Sequence, residues 1–177
     1  MLRKTTRAAA NGMKTLLLVR HAKSSWEDIS VADRDRPLAG RGERDATKMG
    51  KRLARRGVKP DLILTSPALR ARLTAEMLAE KLDYRRRDIV VDDRLYGRGA
   101  DALVAVIRSI DDEVSRAMLV GHNPELTELA HRICRDITHL PTCAVAELAF
   151  DAKSWEDVDE ASLSKVELDY PKKAECP

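Results

Sequence analysis

Apolar residues change their spacing several times along the chain, from unbroken runs to intervals of three or four and back again. That alternation predicts strands interleaved with helices. Lys14–Arg20 (KTLLLVR) is a continuous apolar run ending in charge, the pattern of a strand buried on both faces. Between Leu38 and Arg56, residues Ala46, Met49, Leu53 and Ala54 recur at helical spacing, and Gly57 followed by Pro60 stops the helix. Asp61–Thr65 reads as a second strand. Ser66 then serves as an N-cap and Pro67 as the first residue of a helix striped by Leu69, Leu73, Met77 and Leu78. Asp88–Val91 predicts a third strand, Ala100–Ile110 a helix and Ala117–Val120 a fourth strand. Beyond it Asn123 caps, and Pro124 opens, a helix bearing Leu126, Leu129, Ala130 and Ile133. Ala144–Phe150 and Ser164–Asp169 read as closing strands, a hairpin across an acidic, exposed loop at 151–163. The predicted fold class is α/β, a single three-layer α/β/α sandwich with a mostly parallel central sheet. Residues 13–170 are expected to form its one domain, with flexible ends at 1–12 and 171–177.

Composition narrows the picture. A chain of 177 residues fits one domain and buries roughly 70% of its unfolded surface without a disulfide or metal staple. No apolar run approaches the roughly 20 residues that span a bilayer. The basic N-terminus lacks the apolar stretch of a secretion signal. Cys134, Cys143 and Cys176 are too few and too irregularly spaced for a disulfide framework. The expectation is a soluble, cytoplasmic monomer without a membrane partner. Residues 1–60 carry 16 Lys and Arg against 6 Asp and Glu, and residues 61–177 carry 16 against 23. Only six residues are aromatic, too few for base stacking. The basic end therefore reads as a solvated face, not a nucleic-acid surface, with a smaller anionic partner left open.

In open α/β sheets, ligands collect beyond the carboxyl ends of the strands. Ionisable residues stand at three such ends: Arg20-His21, Ser66–Arg70 and Gly121–Asn123. The last two lead into helix N-termini, which favour anions. Arg20, Arg70, His21 and His122 gathered there would suit a tetrahedral dianion, and phosphate is the obvious one. A neutral imidazole with one nitrogen bonded to a backbone carbonyl leaves the other free to attack phosphorus. Arginines can neutralise the transferring group without a metal, so no cofactor is required.

LLLVRHAKSSW (16–26), SPALRARLTAE (66–76) and GHNP (121–124) together resemble the histidine phosphatase, or phosphoglycerate mutase-like, superfamily. The RHAKS-type opening, the short length and Pro141-Thr142 before a strand are most similar to SixA-type phosphohistidine phosphatases. The resemblance covers about residues 13–150. It implies a phosphohistidine intermediate on His21, with Arg20 and Arg70 holding phosphate oxygens and His122 as a charged donor to the transferring group. Arg72 falls on the solvent side of its helix. Lys23, Ser24 and Ser25 are candidate substrate-binding residues in the loop after His21. Trp26 either lines the mouth or anchors that loop in the core.

Two departures bear on the substrate. Where many superfamily members carry a general-acid glutamate, this chain reads Asp92-Asp93-Arg94-Leu95-Tyr96-Gly97. Glu27 stands where mutase-like members often place an asparagine. A missing acid matters least when the leaving group is already good, as in phosphohistidine on a protein. Two rival readings remain: a small-molecule phosphomonoesterase or mutase using Asp92, Asp93 or Glu27 as acid, and a phosphate-binding module without turnover. Taken singly, each motif residue is more often a surface or turn residue, and only their combination carries the reading. The spacing of His131, Cys134, His139 and Cys143 superficially suggests zinc, but those residues straddle a helix, a turn and a strand start, so no metal is expected.

Overall fold

β1 (Lys14–Arg20) runs through the middle of the molecule, and its side chains divide the core. Leu16, Leu17, Leu18 and Val19 are all 0% exposed, so both faces of the strand are covered. Leu16 and Leu18 pack with residues of α3 (Gly99–Arg108) and α4 (Glu125–Ile133). Leu17 and Val19 face α1 (Gly40–Arg55) and α2 (Leu69–Lys81) on the other side. The period of two along the strand thus makes a three-layer α/β/α sandwich. The computed structural model describes residues 12–174.

The remaining strands are β2 (Leu62–Thr65), β3 (Val90–Val91), β4 (Arg116–Gly121), β5 (Val145–Phe150) and β6 (Leu163–Asp169). They join one sheet in the order β3-β2-β4-β1-β5-β6. Three of the five pairings are parallel, and β5 and β6 extend the sheet as an antiparallel hairpin. From β1 the chain steps outward to β2 and β3, then returns through α3 to β4 beside β1. Right-handed crossovers in opposite directions put their helices on opposite faces. The carboxyl ends of β1, β2 and β4 consequently meet where the direction reverses, the place at which such sheets bind ligands.

Local signals misplace several details. Ser66 and Pro67 precede α2, whose N-cap is Ala68 and carries no side-chain cap. Asn123 does not cap α4 either: its amide donates to the Leu140 carbonyl and its oxygen accepts from the Thr127 hydroxyl. The third strand is only two exposed residues, because a 3-10 turn takes Arg86–Asp88. The 151–163 segment is not simply exposed, since Trp155 is fully buried and donates its indole N–H to the Val114 carbonyl. Residues 171–174 are held against α1 by Lys48 and Arg52, which donate to the carbonyls of Pro171 and Lys173. Residues 1–11 and 175–177, and with them Cys176, lie outside the described residues. Among the described residues no helix is long and apolar enough to cross a membrane.

The loop after β1 is clamped by α1. Lys23 O accepts from Ala39 N at 2.9 Å, and a Cβ on Gly42 would stand 2.1 Å from that same carbonyl oxygen. Only glycine allows this approach. Gly42→Ala is expected to lower stability by about 1–3 kcal/mol, as overpacking does, measured by urea unfolding. A loss under about 0.5 kcal/mol would mean that the clamp yields freely.

Candidate active site

His21 directly follows β1, and neighbouring backbone fixes it on both sides. Its N–H donates to Gly121 O at 3.0 Å, and its carbonyl accepts from Cys143 N at 3.2 Å. The next residue is tied to α2, for Ala22 N donates to Thr74 Oγ1, which in turn donates to Arg70 O. His21 Nδ1 lies 2.7 Å from Ala22 O. A carbonyl can only accept, so Nδ1 carries the proton and Nε2 keeps a lone pair. Arg70 Nε stands 3.3 Å from that Nε2. The backbone-carbonyl arrangement expected for the imidazole is therefore the one found.

Three further groups surround the ring. Arg70 lies in the first turn of α2 with its side chain 6% exposed, whereas Arg72 faces solvent. His122, just beyond β4, has its ring centroid 5.0 Å from that of His21. Its Nε2 is 2.7 Å from Ser66 Oγ, which also accepts from Ala68 N. Arg20 donates to Leu140 O, while its buried Nε has no hydrogen-bond partner. All four predicted residues line one cavity of about 530 Å³.

Both imidazoles are poor bases here. Burial first, and then the charges of Arg70, Arg20 and Arg36, push the His21 pKa down to about 4 against the opposing pull of the Ala22 carbonyl. Burial and the neighbouring His21 and Arg70 bring His122 to about 3. His122 is therefore held neutral at pH 7 by burial and its cationic surroundings.

The loop residues sort differently from expectation. Lys23 and Ser24 line the cavity, although the Ser24 hydroxyl accepts from Arg36 Nη1 at 2.9 Å. Ser25 does not line it, and its hydroxyl accepts from the backbone N of Glu27. Trp26 stands at the mouth, 63% exposed, under the Arg36 guanidinium. None of the proposed acids reaches the cavity: Glu27 is exposed, Asp92 is paired with Arg94 and Asp93 faces Arg34. Sequence reasoning missed Asp33, Arg36, Tyr96 and Glu125, all of which line it. The charge-dense stretch Asp33-Arg34-Asp35-Arg36-Pro37 was the available signal, but a loop has no periodicity to rank its charges. Among the described residues, no three His, Cys, Asp or Glu side chains converge as a metal site. Cys143 is buried, which pushes its thiol up to about 12.

Histidines and arginines gathered where strands end and a helix begins in an α/β sandwich are the arrangement of histidine-phosphatase-type hydrolases. The chain belongs to the histidine phosphatase superfamily (branch 1), whose sequence profile matches residues 16–103. An uncharacterised chloroplastic protein of Arabidopsis thaliana is 34% identical over 152 residues, covering 81% of this chain and 70% of its own. Two solved structures, each named a putative phosphohistidine phosphatase SixA, are similar over most of the chain. That of Nakamurella multipartitia has TM-score 0.75 and 26% identity, over 88% of this chain and 96% of its own. That of Agrobacterium tumefaciens has TM-score 0.71 and 30% identity, over 86% and 96%. Within the superfamily the chain is of the SixA type.

The depressed histidine pKa values carry a stability consequence. Unfolded histidines bind protons below about 6.5, whereas the folded rings do so only near 4 and 3. The unfolded state thus holds more protons between these limits, and stability falls as pH drops from about 6.5 towards 4. Urea midpoints across that window are expected to decline with acidification, less steeply in a His21→Gln/His122→Gln double variant. An equal slope in the double variant would contradict the neutral rings.

Proposed function

We propose that this chain is a phosphohistidine phosphatase that acts on a phosphorylated protein in the cytoplasm. The observation that carries the reading is the tautomer of His21: Nδ1–H is committed to Ala22 O, and Nε2 is directed into the cavity beside Arg70. In the first step Nε2 forms a bond to phosphorus as the P–N bond of the substrate breaks. Water then attacks the phosphorylated His21, the second P–N bond breaks, and inorganic phosphate leaves. Arg20 and Arg70 hold the equatorial oxygens, and the Nδ1–H bond to Ala22 O strengthens as the ring gains positive charge. A dianion between the rings raises the pKa of His122, which becomes able to donate to it. The charge this transfer requires comes from the guanidinium groups, so the reading needs no metal.

Two features support phosphohistidine as the substrate. Asp33 is held well below the usual carboxylate range, chiefly by hydrogen bonds from Tyr96 and the two arginines, so it cannot serve an ester as acid. Glu125 is the other carboxylate lining the cavity, and its buried Oε2 has no hydrogen-bond partner. It can accept from the protonated distal nitrogen of a phosphohistidine ring, which then departs as neutral imidazole without a separate acid. The same carboxylate would repel a sugar-acid phosphate.

Acid-quench trapping with a labelled phosphohistidine protein is expected to place the label on His21, and His21→Ala is expected to abolish both label and turnover. Full activity of His21→Ala would end this mechanism. Arg70→Ala should slow turnover about 10²-fold, the usual effect of removing a donor to the developing charge. Turnover of free phosphoesters alone would favour the small-molecule reading, with Glu125 as its acid. Phosphate binding without turnover of any substrate would favour the binding module.

A further inference from the structure

Asp33, in the short 3-10 turn Asp33–Asp35 between the catalytic loop and α1, receives more hydrogen bonds than any role as a surface acid would require. Its Oδ2 accepts from Arg70 Nη2 at 3.0 Å and from the Tyr96 hydroxyl at 2.8 Å. Its Oδ1 accepts from Arg36 Nε at 3.1 Å and Nη2 at 2.8 Å. These four donors fill the lone pairs of a carboxylate. Its own backbone carbonyl accepts from Arg70 Nη1 at 2.5 Å. Both arginine side chains are nearly buried, at 6% and 8% exposure, while the Asp33 side chain is 53% exposed.

Arg70 is consequently gripped by one edge and faces the histidines with the other. The Nη1–Nη2 end is taken by the carbonyl and carboxylate of Asp33. The Nε–Nη2 edge is turned towards the histidines, with Nε 3.3 Å from His21 Nε2 and Nη2 3.5 Å from His122 Nδ1. A guanidinium held in a bidentate grip cannot swing about its long side chain, so its second edge is pre-aligned for a planar pair of oxygens. Arg36 is fixed by the same carboxylate, which leaves its Nη1 on Ser24.

We propose that Asp33 is a positioning residue, the anion that aims the Nε–Nη2 edge of Arg70 at the phosphoryl group on His21. This inference rests on the phosphoryl-transfer reading given above. Asp33 touches no reacting atom; it acts through Arg70, with Arg36 and Tyr96 completing its shell.

The test is a double-mutant cycle on turnover of a phosphohistidine protein by the full chain. Asparagine keeps the size but has one acceptor oxygen in place of two, and it turns an NH₂ towards the remaining donors. Asp33→Asn is expected to lower kcat by about 10- to 100-fold while KM moves by less than about threefold, since the lost alignment matters most in the transition state. In an Arg70→Ala background the same substitution should cost less than about threefold, because the group it positions is gone. Asp33→Glu, which restores the charge and both acceptors, should recover part of the rate.

Unchanged kcat in a folded Asp33→Asn variant overturns the proposal, as does a full and additive loss in the Arg70→Ala background. If Asp33→Asn does not fold, Tyr96→Phe, which removes one donor to Oδ2, provides the second cycle with the same expected non-additivity. If the wild type hydrolyses an aryl phosphate but no phosphohistidine, the substrate reading fails. The cycle run on that ester then still decides the role of Asp33.

Discussion

Two arginines and two imidazoles gathered at one end of a sheet repel one another and lose water, so each charge has to be compensated or withheld, and the hydrogen bonds that do this give the site its form. The imidazoles withhold theirs: burial and cationic neighbours keep both neutral. Arg70 is compensated by Asp33, which also takes Arg36, a third guanidinium at the cavity. Arg20 donates to the Leu140 carbonyl, and among the described residues its buried Nε has no hydrogen-bond partner. One carboxylate thus serves two guanidinium groups, and an excess of positive charge faces the His21 nitrogen. An anion is the natural complement of that excess, and a dianion the better one.

The scaffold holds this arrangement stiffly because its parts sit on the rigid ends of packed elements. β1 is walled on both faces, and its last hydrogen bonds carry straight into the backbone of His21. The Ala22–Thr74–Arg70 relay links the strand end carrying His21 to the helix carrying Arg70. On the same face of the sheet, α1 approaches the Lys23 carbonyl so closely that only a glycine fits at position 42. At the mouth Trp26 is largely exposed. The fixed side chains thus lie beneath a solvent-facing mouth.

Much of this was legible in the residue order, for reasons that can be traced. β1 shows itself because a strand covered on both faces must be apolar at successive positions, and α3 and α4 because each buries a stripe at helical spacing. His21, Arg20, Arg70 and His122 lie at strand or helix ends, and the topology of an α/β sheet brings such ends together. Misreadings arose where a side chain serves a distant partner. Ser66 looks like a helix cap but supports His122, fifty-six positions away. Asn123 ties the start of α4 to Leu140. Trp155, in a segment dense with acidic residues, closes the floor beneath α3.

The order of residues by itself determined the layers, the strand ends and the histidines and arginines that stand at them, because periodicity and local turn chemistry act over a few positions. Tertiary structure alone decided the charge state of the imidazoles, the exclusion of Glu27, Asp92, Asp93 and Ser25 from the cavity, and the recruitment of Asp33, Tyr96 and Glu125 into it. A pKa depends on what surrounds a group in space. A loop carboxylate finds its partners only after the chain between them has folded, and Tyr96 lies sixty-three residues from Asp33.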